Sequence, residues 1–323
     1  MTDRKIKVGI IGAAGYTGGE LLRLLVNHPS VEIAFAFSNS QKNKAVTIVH
    51  PDLIGETDLI FTDSIQTNVE AVFLGLPHGQ TKAFLAQHKF SEDTVLIDLS
   101  TDYRDESEGF TYGLVEVNSI KISQSKKIAN PGCFATAIQL ALAPAIAGGL
   151  IKDSIHLSGI TGSTGAGVKL SNTTHFSWRN QNVSTYKAFE HQHLTEVTQT
   201  FKQLNADFDQ ELLFMPYRGN FTRGIWITAY APYTAALSEA ENVYKSFYQD
   251  CAFVHLSPEN IDLKQVVNTN KCIIHLAKIK GQLVVSCIID NLLKGAAGQA
   301  IQNFNLIFKL AETSGLKLKS TAF

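Results

Sequence analysis

The feature that most constrains this chain is a run of glycines placed directly after a short apolar segment. Val8-Gly9-Ile10-Ile11 leads into Gly12-Ala13-Ala14-Gly15-Tyr16-Thr17-Gly18. Glu20-Leu21-Leu22-Arg23-Leu24-Leu25-Val26 then comes with helical spacing and ends near His28-Pro29. Strand, tight turn and helix in that order open a βαβ unit with a right-handed crossover. Gly12 permits the turn, Gly15 lets the backbone approach a pyrophosphate, and Gly18 lets helix and strand pack closely. The helix N-terminus adds unpaired N–H groups and a partial positive charge. The spacing is GxxGxxG, a variant of the usual fingerprint. In this setting it predicts a dinucleotide site at Gly12, Gly15, Tyr16, Thr17 and Gly18; the plainer alternative is a packing turn without a ligand.

Three more apolar runs, Val31–Phe37, Ala71–Leu76 and Val95–Leu99, are too short for stable helices and read as buried parallel strands. Beyond Asn130-Pro131-Gly132 the pattern changes. Ala135–Ala147 is an alanine- and leucine-rich helix candidate, Ser158–Gly167 is rich in glycine and serine, and Leu170–Tyr186 reads as loop or weak structure. Gly224–Tyr230, Lys271–Ile279 and Leu283–Ile289 alternate like strands, the last two around a hairpin turn at Lys280-Gly281. Asn291–Leu310 has helical spacing and is long enough to return to the first domain. A chain of 323 residues has room for two cores. The predicted class is therefore α/β. Residues 1–132 and 291–323 form a Rossmann-type dinucleotide-binding domain, and residues 133–290 form a mixed α/β domain with a mostly antiparallel sheet.

Charge excludes other classes. Lys+Arg is 28 against Asp+Glu 29, so no basic excess argues for nucleic acid. No run of about 18 apolar residues predicts a membrane span. The start, Met1 to Lys7, is charged, and the apolar run after it is broken by Gly9 and Gly12, which does not suit a secretory signal. The cysteines, Cys133, Cys251, Cys272 and Cys287, form no CxxC pair. They suit a reducing cytoplasm and thiol chemistry better than a disulfide framework or a zinc cage.

The residues just after the second strand narrow the cofactor. An acidic residue there would read a ribose 2′-hydroxyl. Instead Phe35-Ala36-Phe37 continues into Ser38-Asn39-Ser40-Gln41-Lys42-Asn43-Lys44. Hydroxyls and lysines suit a 2′-phosphate, which predicts NADP with Ser38 and Lys42 as contacts; the alternative is solvated loop charge.

Asn130-Pro131-Gly132-Cys133 places a thiol where a turn enters a helix. A helix N-terminus favours the thiolate, which attacks acyl carbon. A buried structural cysteine is the competing reading, and it is the one adopted for Cys251, Cys272 and Cys287. A thiol beside a dinucleotide implies thioester formation followed by hydride reduction. Glu190-His191-Gln192-His193-Leu194-Thr195-Glu196 is a dense titratable cluster. One of its histidines is suited to hold the thiolate and move protons; no third ligand spacing supports a metal. Capping or surface roles are the alternative for these histidines, and Thr195 is a candidate cap for the next helix. His78, in Leu76-Pro77-His78-Gly79 at a strand's C-terminal end, is placed to touch ligand or to serve as a capping or core residue.

Taken in order, these segments resemble the N-acetyl-gamma-glutamyl-phosphate reductase family, within the wider group that includes aspartate-semialdehyde dehydrogenase. The resemblance is carried by Gly12–Gly18, Leu76-Pro77-His78-Gly79, Asp98–Arg104, Tyr112–Glu116, Ala129–Cys133, Gly162–Gly167, His191–His193, Pro216–Gly219 and Asp290–Ala300. It implies a glyceraldehyde-3-phosphate-dehydrogenase-like catalytic and oligomerisation domain. It implies Cys133 as nucleophile, with the acid–base group either His193, ranked first, or His191. It implies that Pro77 and Asn291 meet the cofactor, and that Arg104 and Arg218 grip substrate carboxylate or phosphate. It further implies an acyl-phosphate substrate and a homodimer or homotetramer. The family commonly has proline where Val115 stands, Tyr-Pro where Phe134-Ala135 stands, and arginine and Thr-Pro where Gln192 and Leu194-Thr195 stand. The resemblance implies NADPH-dependent reduction of N-acetyl-gamma-glutamyl phosphate in arginine biosynthesis; the departures leave N-succinyl and carrier-linked acyl groups open, with aspartyl phosphate or a non-enzymatic NADP-binding regulator as further alternatives.

Overall fold

The computed structural model describes residues 4–321; the outermost residues of the expected first domain, 1–3 and 322–323, lie outside the described residues. The chain divides into two units. One takes the chain up to Pro131 together with Ala296–Lys317, and the other takes Gly132–Gly295 and the residues from Leu318 on. The return thus falls between Gly295 and Ala296, a few residues beyond the 291 expected from the sequence.

The first unit is built on strands β1 (Ile6–Ile11), β2 (Val31–Phe37), β3 (Phe61–Thr62), β4 (Ala71–Leu74), β5 (Val95–Asp98), β6 (Thr111–Tyr112) and β7 (Lys127–Ala129). They form one sheet in the order β3-β2-β1-β4-β5-β7-β6, and every pairing is parallel. The continuous apolar runs follow from this burial: all four residues of β4 are buried. Ile11, Phe35, Phe37, Val72 and Leu74 form one core cluster. The helix Tyr16–Leu25 buries Leu21, Leu22, Leu24 and Leu25. Strand β1 has β2 on one side and β4 on the other, so connections leave it in opposite directions. Ligands bind at the carboxyl ends of strands at such a switch point, where the glycine turn and the loop after β4 both emerge.

The helix Gly298–Ile307 belongs to this unit and is buried on nearly every face, including Gln299, Asn303 and Asn305. Buried amides need partners. Gln299 and Asn303 both donate to the Gly113 carbonyl at 2.9 Å, and Asn305 Oδ1 lies 3.1 Å from His28 Nε2. The helical spacing read over Asn291–Leu310 resolves into a π-helical stretch, Leu293–Ala297, and this α-helix.

The second unit carries β8 (Ile155–Thr161), β9 (Ser184–Thr185), β10 (Leu212–Arg218), β11 (Ile225–Pro232), β12 (Val254–Ser257), β13 (Cys272–Ile279) and β14 (Gln282–Ile289). Their order is β12-β13-β14-β11-β8-β10-β9. The β8/β10 and β12/β13 pairings are parallel, and the others are antiparallel. Lys280 and Gly281 both have positive φ, 48° and 75°, the signature of a two-residue type I′ hairpin turn. Cys272 and Cys287 are fully buried on this hairpin, their sulfurs 3.4 Å apart.

The helix Cys133–Ala147 is apolar apart from Thr136 and Gln139 and is buried from Phe134 to Ile146. Pro144 lies inside it and cannot donate to the Leu140 carbonyl. The Tyr248 hydroxyl supplies that bond instead, at 2.6 Å.

Leu170–Tyr186 is mostly loop with weak structure, as expected: a short helix, Phe176–Arg179, and the two-residue β9, which pairs with β10. One local expectation is corrected: Thr195 is not a cap. The helix runs His193–Leu204, and the chain is already helical at Gln192, with φ −55° and ψ −26°.

Candidate active site

In the first unit the glycine turn is a steric necessity at two positions. Gly12 has φ +74°, and a Cβ there would lie 2.3 Å from the Gly75 carbonyl oxygen. A Cβ on Gly18 would lie 2.5 Å from the Gly12 carbonyl oxygen. Gly15 is different: its nearest atom would be 3.6 Å away, so its outer side is open. Gly15 is also the N-cap of the helix Tyr16–Leu25, with no side-chain cap and no acidic residue in the first turn. An uncapped, carboxylate-free helix start suits a phosphate. Tyr16 is exposed and Thr17 half-buried beside it. Pro77 and His78 are exposed in the loop after β4. This arrangement fits a dinucleotide.

Beyond β2, Ser38 is buried and its hydroxyl lies 3.5 Å from that of Ser40. Lys42 forms an ion pair with Asp63 at 2.6 Å, and this amine holds the Asp63 carboxyl below its ordinary range. The lysine therefore shares its charge with a carboxylate that sequence spacing did not reveal. Arg104 is buried and directed at the backbone: Nε donates to the Asn130 carbonyl at 3.0 Å and Nη2 to that of Leu99 at 3.2 Å. It braces the strand that ends in the Asn130-Pro131 turn.

In the second unit Cys133 is the first residue of its helix, after Gly132 as N-cap. No side chain caps this end and no acid lies in its first turn. The thiol is half-buried at a helix N-terminus, the end of the dipole that favours a negative charge. Gly295 lies against it: a Cβ on that glycine would come 2.8 Å from the Cys133 Cβ. Asp290 fixes this approach. Its backbone carbonyl accepts from Gly295 N at 2.9 Å. Its fully buried carboxylate pairs with Arg223 at 3.0 and 3.1 Å and accepts from Asn268, Leu292 and Leu293 N–H groups. Asn291 is fixed in the same way: Oδ1 accepts from Gly224 N at 2.7 Å, and Nδ2 donates to Thr164 Oγ1 at 3.0 Å.

Both histidines of the HxH pair are buried, with rings 4.7 Å apart. His191 sits in an aromatic box of Phe134, Tyr186 and Phe214 at 5.5 to 5.7 Å. Burial, then the charges of Lys187 and Arg218, push it down to about 4, so it is neutral near pH 7. Its Nδ1 accepts from His193 N at 3.3 Å. His193 instead faces Glu196, with Nε2 4.0 Å from Oε1. The other Glu196 oxygen accepts from Gly132 N at 2.9 Å. Arg218 lies 4.7 Å over the Tyr186 ring, and among the described residues its Nε has no hydrogen-bond partner. Burial, then the Cys133 charge, push the Tyr186 phenol up to about 12. Tyr186 thus stays protonated between the thiol and the guanidinium.

Cys133, His191, His193 and Arg218 therefore gather in one unit. The glycine turn, Ser38, Lys42, Pro77 and Arg104 belong to the other. Glu196, Tyr186 and Gly295 carried no role in the sequence-based expectation. Glu196 stands three residues after His193, a helical spacing that gave a usable signal; Tyr186 and Gly295 gave none. Among the described residues no group of three or more His, Cys, Asp or Glu is placed to hold a metal ion. No helix among them is long and apolar enough to cross a membrane.

Known proteins extend this geometry. Residues 7–125 match the family description "Semialdehyde dehydrogenase, NAD binding domain", and residues 133–291 match "Semialdehyde dehydrogenase, dimerisation domain". The N-acetyl-gamma-glutamyl-phosphate reductase of Christiangramia forsetii is 51% identical, over 98% of this chain and all of that protein. The protein of the same name from Phocaeicola vulgatus is 53% identical over the same shares. Among solved structures, aspartate semialdehyde dehydrogenase II from Vibrio cholerae superposes with a TM-score of 0.76 at 15% identity, covering 95% of this chain and 99% of that one. The Candida albicans aspartate semialdehyde dehydrogenase, solved with NADP, gives 0.70 at 14%, covering 94% and 98%. At those identities the structures show a shared fold.

Proposed function

Since the chain belongs to the semialdehyde dehydrogenase family, in its N-acetyl-gamma-glutamyl-phosphate reductase branch, we propose that it reduces N-acetyl-gamma-glutamyl phosphate to the 5-semialdehyde and phosphate, with NADP as cofactor, in arginine biosynthesis. The observation that carries the reading is Cys133 at an uncapped helix start, with Glu196 bonded to the preceding Gly132 N–H and 4.0 Å from His193.

The residues divide the work. Cys133 as thiolate attacks the acyl carbon, and the bond from that carbon to the phosphate's bridging oxygen breaks as the thioester forms and inorganic phosphate leaves. N–H groups in the first turn of the Cys133 helix face the oxyanion that develops. NADPH, when bound, supplies the hydride that carries the thioester to the thiohemiacetal level. His193 gives a proton to the thiohemiacetal oxygen and takes it back as the carbon–sulfur bond breaks and the aldehyde leaves. His191, neutral in its aromatic box, accepts the His193 N–H and fixes the entry to that helix. Arg218 and Arg104 are the guanidiniums proposed to grip substrate anions, Arg104 also bonding the Asn130 and Leu99 carbonyls. Gly12, Gly15, Tyr16, Thr17 and Gly18 would hold the pyrophosphate, Ser38 with Lys42 the 2′-phosphate, and Pro77 would flank the cofactor. Asn291, its amide already engaged, would shape the nicotinamide end through its fixed backbone. Assembly is as a homodimer or homotetramer through the unit matched as a dimerisation domain, and the setting is the cytoplasm.

The test runs the reaction in reverse. N-acetylglutamate semialdehyde, phosphate and NADP⁺ are supplied to the wild type and to Cys133→Ser. Phosphate-dependent NADPH formation that disappears in the variant supports reaction and nucleophile together. Turnover that survives Cys133→Ser overturns the covalent route. Turnover only with N-succinyl, carrier-linked or aspartyl substrates overturns the acyl assignment.

A further inference from the structure

Glu196 is buried at 5% exposure, where a carboxylate is costly unless each oxygen is engaged. Its two oxygens point at two different elements. Oε2 accepts from Gly132 N at 2.9 Å, the amide that immediately precedes the thiol. Oε1 lies 4.0 Å from Nε2 of His193, one turn earlier on the same helix. We propose that Glu196 is the positioning residue of the thiol site, one oxygen fixing the amide before Cys133 and the other favouring the protonated form of His193. This inference rests on the function proposed above for the same site.

Titratable groups reach His193 from several other elements. On the helix Cys133–Ala147 the thiol is the only titratable group. From the preceding segment comes His191, held neutral, with Lys187 and Tyr186 around it. From β10 comes Arg218, stacked on Tyr186. These are cations or neutral groups, apart from the thiolate that reacts. A carboxylate beside an imidazole favours the imidazolium. At 4.0 Å, beyond hydrogen-bond distance, Glu196 acts on His193 through its charge, keeping a proton available for the thiohemiacetal oxygen. By engaging the Gly132 N–H it also leaves oxyanion binding to amides further into the helix.

The two roles separate in Glu196→Gln, which keeps an oxygen for Gly132 N–H but removes the charge. Histidine carbon-labelled protein is titrated by NMR, with His193→Asn used to assign the His193 resonance. The expected result is a His193 pKa lower by about one unit or more in Glu196→Gln, with the unfolding midpoint close to wild type. Steady-state kinetics should show kcat down by about tenfold to a hundredfold with KM within about twofold. The pH-rate limb set by His193 should move to lower pH in both reaction directions. Glu196→Ala should lose stability as well. An unmoved His193 titration in a folded Glu196→Gln protein overturns the proposal, as does a kcat loss with an unmoved pH limb. The NMR titration needs no substrate. A wild type inactive on the glutamyl substrate counts against the proposed function, while the titration still judges Glu196.

Discussion

Gly295 and Cys133 touch backbone to side chain: a Cβ on the glycine would stand 2.8 Å from the Cβ of the cysteine. Gly295→Ala therefore has no room without moving the thiol or the π-helical stretch. Overpacking of this kind costs about 1–3 kcal/mol. We expect kcat to fall about tenfold or more, with slower alkylation of Cys133 by iodoacetamide. Unchanged alkylation and turnover would mean that the contact relaxes freely.

Arg218 offers a guanidinium with an unengaged Nε, stacked on Tyr186. Arg218→Lys keeps the charge and loses the planar fork. The KM for the acyl phosphate should rise about tenfold or more, while the KM for NADPH stays near wild type. Equal rises for both substrates would point to a general disturbance of the fold.

His191 gives the acid limb of stability a sign. Its folded pKa is depressed to about 4 against an ordinary value near 6.5. Above 6.5 both folded and unfolded states carry it neutral, and it contributes no pH dependence. As pH falls from 6.5 towards 4, only the unfolded state takes up the proton, so stability declines across that window by at most about 1.4 kcal/mol per pH unit. Urea unfolding at a series of pH values should show this component in the wild type and not in His191→Phe. Parallel curves would assign the acid loss to other groups.

Asp290 anchors the segment that presents Gly295 through a buried, two-bond pair with Arg223. Asp290→Ala removes both of these bonds and should cost about 3 kcal/mol of stability. Asp290→Ala together with Arg223→Met should recover part of the loss in chemical denaturation. No recovery would mean that the backbone bonds to Asp290, rather than the ion pair, carry its effect.

Local patterns made much of this legible. Short apolar runs gave β1, β2, β4 and β5 because parallel strands are buried on both faces. Asn130-Pro131-Gly132-Cys133 gave a thiol at a helix start because Pro and Gly mark the turn chemically. What stayed hidden depends on side chains distant in sequence. Asp63 meets Lys42 from 21 residues away. Glu196 meets Gly132 from 64 residues away. Asn291, which the family resemblance assigns to the cofactor, has its amide bonded to Gly224 and Thr164, 67 and 127 residues away. Thr195 carries the right chemistry for a cap, but the backbone turns helical before reaching it.

The contact between Gly295 and Cys133 also bears on the chain path of the second unit. Gly132 and Gly295 bound a continuous piece of chain, and its two ends lie side by side. A segment closed on itself in this way can be grafted between neighbouring residues of a host protein without a long spacer. Joining Gly295 to Gly132 and opening the chain at the Lys280-Gly281 hairpin would then give a permuted form in which the Cys133 sulfur stands beside the new junction.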